Sequence, residues 1–238
     1  MAAPPRPVPT APRVTADDGD HRRDLIVVGA SAGGVQALQR LVGDLPADLP
    51  AAVVVVLHLP SAGHSVLAQI LDRAGPLPVT AVTDGTAVRP GEILVAPADA
   101  HTLVRDGHVV LDHEPRENGH RPSIDALFRS AAESYGPRVI AVVLTGMLDD
   151  GAAGIVSVVR AGGVGVVQDP DDARYGAMPR AAIATGTALR RAPMSDMADL
   201  LRGLVDEDGN SGSTAARPDA SATPGRVRAV DMNDEGDA

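Results

Sequence analysis

Short apolar runs alternate along the chain with stretches in which apolar positions recur every three or four residues. Residues 25–28 form the first run, and Val35, Leu38, Leu41 and Val42 follow it at helical spacing. Residues 52–57 read as a second buried strand, with a helix around 65–73 after it. The rhythm then tightens. Residues 79–82, 92–96, 102–104 and 108–111 read as close-spaced strands, the last two joined by Asp106-Gly107, a hairpin signal. A helix near 123–133 leads into a strand at 139–144 and a helix near 151–160. Residues 164–167 read as a further strand, and 178–184 and 195–205 as helices. This order predicts an α/β fold: a mostly parallel, doubly wound sheet with helices on both faces, an antiparallel hairpin at one edge, and a single domain.

The two ends fall outside this pattern. Residues 1–23 hold five Pro in the first thirteen positions, and 206–238 carry 8 acidic residues against 3 Arg with hardly a large apolar side chain. Both are expected to be disordered, which leaves 24–205 as the folded part. Of the 238 residues 44% are hydrophobic but only 1% aromatic, so the core must be built from Val, Leu, Ile and Ala, as buried parallel strands usually are. There is no Cys, and all 21 basic residues are Arg. That excludes a disulfide framework, a Cys-based zinc site, a thiol nucleophile, a Schiff-base lysine and a Walker-type phosphate loop. The net charge of −10 comes with no basic stripe, so nucleic-acid binding is not expected. The longest apolar run, 51–57, is seven residues, against roughly 20 for a membrane span, and the N-terminus has no apolar signal core. A soluble, cytoplasmic protein is the expectation.

Three places carry chemistry. Gly29-Ala-Ser31-Ala-Gly33-Gly34 lies between a strand and a helix and fits G-x-S-x-G, a serine on a tight turn. Ser31 there reads as a nucleophile, as a helix cap, or as part of a phosphate or nucleotide loop. His58 directly follows the second strand; in a parallel sheet that places it within reach of Ser31, as a base or as a loop histidine with no role. Asp149 and Asp150 follow the strand at 139–144 and are available to orient the histidine, though Asp before a helix is also an ordinary cap. A Ser, a His and an Asp past the ends of three different strands supply the parts of a catalytic triad. Their chain order, Ser, His, Asp, differs from the Ser, Asp, His order of α/β-hydrolases.

Five motifs occur in order: Leu25-Ile-Val-Val-Gly-Ala-Ser-Ala-Gly-Gly34, Leu57-His-Leu-Pro60, Arg121-Pro-Ser-Ile-Asp-Ala-Leu-Phe128, Leu144-Thr-Gly-Met-Leu-Asp-Asp-Gly-Ala152 and Gly176-Ala-Met-Pro-Arg180. Over residues 24–190 the chain resembles the catalytic domain of the CheB methylesterase family. The resemblance implies Ser31 as nucleophile, His58 as base and Asp150 as its orienter, with Asp149 at a variable position. It also implies hydrolysis of γ-glutamyl methyl esters on chemoreceptors, with glutamine deamidation in some members, and no metal or cofactor. Methylated chemoreceptors are the partners to expect, with a methyltransferase or a separate response regulator beside them. Leu148 departs from the family, which commonly has Gly there. Full-length members also resemble a receiver domain joined to this one; 23 residues before the first strand are too few for it, so control by phosphorylation in cis is expected to be absent. Two readings from other classes stand beside this one: a non-catalytic CheB-like binding module, and a nucleotide-binding regulator.

Overall fold

The computed structural model describes residues 22–58 and 66–207. The expected disordered ends lie almost wholly outside these residues, as do His21 and His64. Seven strands form one sheet: β1 (Leu25–Ala30), β2 (Ala52–Leu57), β3 (Val79–Ala81), β4 (Ile93–Val95), β7 (Val139–Val143), β8 (Val164–Gln168) and β9 (Leu189–Ala192). Their order is β3-β4-β2-β1-β7-β8-β9, and every pairing is parallel. Two strands, β5 (His101–Arg105) and β6 (His108–Asp112), pair antiparallel around Asp106-Gly107. The expected hairpin is thus present, but as a sheet of its own rather than an edge of the main one. It is tied to a helix on the sheet's face: Ser130 Oγ accepts from Val104 N at 3.0 Å, and Ser134 Oγ donates to Val104 O at 2.9 Å.

Helices α1 (Gly34–Asp44), α2 (Leu67–Asp72) and α6 (Met194–Asp206) cover one face; α3 (Ile124–Tyr135), α4 (Ala152–Arg160) and α5 (Ala177–Ala184) cover the other. Strand alternation explains how one strand serves both layers. Ile26, Val28 and Ala30 of β1 join Leu38 and Leu41 of α1 and Leu201 of α6, whereas Leu25 and Val27 join Ile124, Leu127 and Phe128 of α3. β1 is buried along its whole length, consistent with its near-continuous apolar sequence. β9 escaped the sequence pattern because Leu-Arg-Arg-Ala offers two apolar positions only. It is an edge strand, with Arg191 held by Asp169 at 2.6 Å.

The register aligns β2, β1 and β7, the three central strands, at their carboxyl ends. His58 N donates to Ala30 O at 3.2 Å, Leu144 N to Gly29 O at 2.9 Å, and Ser31 N to Thr145 O at 3.0 Å. One glycine makes the next step possible. A methyl group on Gly29 would overlap the Ile124 side chain, so its absence lets the first turn of α3 lie directly over the end of β1. Gly29→Ala should therefore cost about 1–3 kcal/mol by overpacking, read as a lower urea midpoint with an unchanged m value.

Candidate active site

Ser31 leaves β1 on a turn that ends in Gly33, a left-handed residue (φ 75°) at the cap position of α1. The cap is thus glycine backbone and not the serine. The Ser31 hydroxyl instead lies 3.2 Å from His58 Nδ1, and His58 Nε2 lies 2.9 Å from Asp150 Oδ2. A charged carboxylate accepts from Nε2–H, which fixes the neutral tautomer with its lone pair on Nδ1, facing the serine. The relay is that of a Ser-His-Asp triad, with the two ring nitrogens exchanged relative to the serine-protease template.

Asp150 is 1% exposed and carries five hydrogen bonds. Oδ2 accepts from His58 and from Ile124 N (2.8 Å); Oδ1 accepts from Asp125 N (3.0 Å), Ser123 Oγ (3.1 Å) and Gly151 N (3.0 Å). Burial, the largest single influence, works against the charge. His58 and the N–H groups of Ile124 and Asp125 outweigh it, and the carboxyl is held below its ordinary range. The ordinary-cap reading of Asp150 therefore changes in kind. It precedes α4 yet sits at the amino end of α3, where free N–H groups and the helix dipole favour an anion.

Asp125 does the converse. It belongs to the first turn of α3, yet its Oδ1 accepts from Gly151 N (3.0 Å) and Gly154 N (2.6 Å) at the start of α4, while Asn118 Nδ2 donates to Oδ2 at 3.0 Å. Its carboxyl is raised to about 6: burial is the largest cause, the Gly154 N–H opposes it, and the neighbouring Asp150 charge adds to it. The two helices are capped crosswise by each other's aspartates.

Thr145 fixes the serine loop from the other side. Its hydroxyl donates to Ala32 O at 3.0 Å and accepts from Tyr175 N at 2.9 Å, while its own N–H donates to Gln168 Oε1 at 3.0 Å. Leu148 takes the left-handed conformation (φ 65°) that glycine adopts freely, so the departure at this position leaves the turn intact and Asp150 in reach of His58. Asp149, by contrast, is exposed, and its backbone carbonyl accepts from Ala152 N at 3.0 Å.

His120 lies in a polar loop that no apolar periodicity singles out. Its ring stacks on His58, with centroids 3.7 Å apart and planes 9° from parallel. Ser123 and Asp125 fall at the start of the helix expected near 123–133. Two capping residues where one suffices, and Asn118-Gly119 just before His120, a strong tight-turn pair, were the available signals. His58, His120 and Asp150 also bring donor atoms within 4.8 Å of one another. Face-to-face imidazoles, however, aim their lone pairs along parallel lines rather than at a common ion, and the His58 and Asp150 atoms already bond each other.

The model of the family described as CheB methylesterase matches residues 26–201. The chain is 40% identical over 205 residues to protein-glutamate methylesterase/protein-glutamine glutaminase 5 of Myxococcus xanthus, covering 84% of this chain and 59% of that protein. It is 38% identical over 211 residues to protein-glutamate methylesterase/protein-glutamine glutaminase 1 of Xanthomonas euvesicatoria, with 82% and 59% covered. The crystal structure of the Thermotoga maritima CheB methylesterase catalytic domain matches with a TM-score of 0.72 at 34% identity, covering 79% of this chain and 100% of that one. The chain spans 59% of the length of each of these two curated relatives. A shared sequence, a shared fold and a serine, histidine and aspartate joined at the ends of the three central strands lead to one assignment: the chain belongs to the CheB methylesterase family.

Proposed function

We propose that the protein is a serine hydrolase that removes methyl esters from glutamate side chains of chemoreceptor proteins, with Ser31, His58 and Asp150 as its catalytic residues. The observation that carries this reading is the continuous Ser31–His58–Asp150 hydrogen-bond chain ending on a buried, fully hydrogen-bonded carboxylate. A binding module needs no such chain, and a nucleotide site would leave the serine free for phosphate. Ser31 Oγ attacks the ester carbonyl as its proton passes to His58 Nδ1, and Asp150 supports the imidazolium. The N–H groups of Ala32 and Met147 have no hydrogen-bond partner among the described residues, and we assign them to the oxyanion. Collapse of the tetrahedral intermediate returns the proton from His58 to the departing methanol. Water, deprotonated by His58, then cleaves the acyl-enzyme and leaves a glutamate carboxylate. The same steps on a glutamine amide would release ammonia, in keeping with the glutaminase in the relatives' names.

Among the described residues no helix is long and apolar enough to cross a membrane. The reading carries with it a cytoplasmic setting and, as substrate, the methylated region of a receptor. A methyltransferase or a separate response regulator would be its functional counterparts.

Methanol release from methyl-labelled receptor membranes tests the assignment. Ser31→Ala and His58→Ala should each lower turnover roughly 10⁴-fold or more without loss of the fold; near-normal turnover in a Ser31→Ala protein of native thermal stability would sink it. Asp150→Asn should cost about 10⁴-fold, because an amide supports the wrong tautomer, whereas Asp149→Asn should stay within about 3-fold. The pH dependence of stability has two opposed limbs. The lowered carboxyl of Asp150 stabilises the fold above the ordinary value of 3.8, and that contribution is lost as pH falls through its folded pKa. The raised carboxyl of Asp125 favours the fold below 3.8, and that contribution is lost as pH rises through about 6. Asp125→Asn should therefore flatten the fall in Tm between about pH 4 and 6 and leave the contribution of Asp150 in place. An identical fall in wild type and variant would show that another group titrates there.

A further inference from the structure

Both ring nitrogens of His58 are committed in the plane of its imidazole, Nδ1 to Ser31 and Nε2 to Asp150. Rotation of the ring out of that plane would break both bonds at once, and only contacts on its faces can oppose it. We propose that His120 is the positioning residue of the catalytic imidazole: laid flat on His58, it holds the base in the plane joining Ser31 to Asp150 and provides a neutral π face for the imidazolium formed in turnover. The proposal rests on the triad reading above and adds a residue to it.

The loop that delivers His120 is built for placement. Asn118 (φ 50°) and Gly119 (φ 78°) form a tight turn closed by reciprocal backbone bonds, His120 N to Glu117 O at 2.8 Å and Glu117 N to His120 O at 3.1 Å. Glu117 is gripped by both terminal nitrogens of Arg129 on α3, each at 2.6 Å. Asn118 bonds Asp125, and Arg121, on the other side of His120, reaches Asp99 and the carbonyls of His113 and Glu114. Anchors on both sides of the residue fix where its ring lies.

What the ring offers at that place is its face. His120 Nδ1 is buried and makes no well-formed hydrogen bond among the described residues, so the stack on His58 is the best-defined contact of the ring. Burial first, then the charge of His58, and more weakly Arg116, push its pKa below the ordinary histidine value; Asp150 and the Asn118 carbonyl pull the other way. A neutral ring over a developing cation attracts it through the π face, whereas a second cation would repel it. The contact is worth more in the transition state, when His58 is charged, than in the resting enzyme, so its loss should appear in kcat.

The experiment compares His120→Ala, His120→Gln and His120→Phe in methanol release from methylated receptor membranes, with Tm measured for each. His120→Ala and His120→Gln should lower kcat roughly ten-fold with KM unchanged, and His120→Phe, which keeps an aromatic face, should remain within about 3-fold of wild type. Adding His120→Ala to His58→Ala should cost nothing further, because the ring acts only through His58. A Phe variant as impaired as Ala overturns the proposal in favour of a role for a ring nitrogen. A loss confined to KM, or one that persists in the His58→Ala background, overturns it as well. Covalent labelling of Ser31 by a fluorophosphonate, read by intact mass, separates the two levels. An unlabelled wild type would refute the triad itself, whereas normal labelling beside an unaffected His120→Ala would refute only the role of His120.

Discussion

A carboxylate at 1% exposure must be given compensating partners or it will not stay charged, and the site depends on how Asp150 is given them. The donors are the first N–H groups of α3, a helix that lies between β6 and β7 in the chain and on one face of the sheet. Everything that brings α3 over the end of β1 therefore helps to hold the Ser31–His58–Asp150 chain together. Gly29 gives up its side chain so that Ile124 can approach, Ser123 adds a hydroxyl, and Asp125 draws the start of α4 back against α3. The charge on Asp150 then fixes the His58 tautomer, which presents a lone pair to Ser31.

The parallel sheet supplies the other half of the geometry. Strands of one direction end at one edge, so three residues far apart in the chain reach each other when their strands are neighbours. β2, β1 and β7 are the three central neighbours, each followed by one member of the site. The order Ser, His, Asp is a consequence of this strand order, and the imidazole meets the hydroxyl through Nδ1 and the carboxylate through Nε2.

This is also why so much of the site was legible in the sequence. Ser31, His58 and Asp150 stand next to strands whose apolar runs are unambiguous, and the strand-end rule needs no knowledge of side-chain contacts. Asp150 itself was legible, but its work as the cap of α3 was not, because that bond joins residues more than twenty positions apart. His120 lies in a polar loop whose position is set by side-chain bonds of Arg129, Asn118 and Arg121, and no periodicity encodes such a placement. The strand β9 was lost for a different reason. An edge strand needs only one buried face, and Arg190 and Arg191 point the pattern toward a loop.

Leu148 shows how the rigidity of one residue can hold another in an unfavourable conformation. An L side chain at φ 65° costs about 1–2 kcal/mol relative to glycine, and Leu148 is 63% exposed, so packing does not recover that cost. The conformation persists because both flanks are fixed. Gly146 is tied to Tyr175 and Met178 by backbone bonds, and Asp150 is held by five donors, leaving the three residues between them little freedom in how they span the gap. The result is a short arch beside Ser31 from which Met147 and Leu148, at 56% and 63% exposure, stand out as apolar side chains. The anchoring that keeps Asp150 charged therefore also shapes this exposed apolar rim beside Ser31.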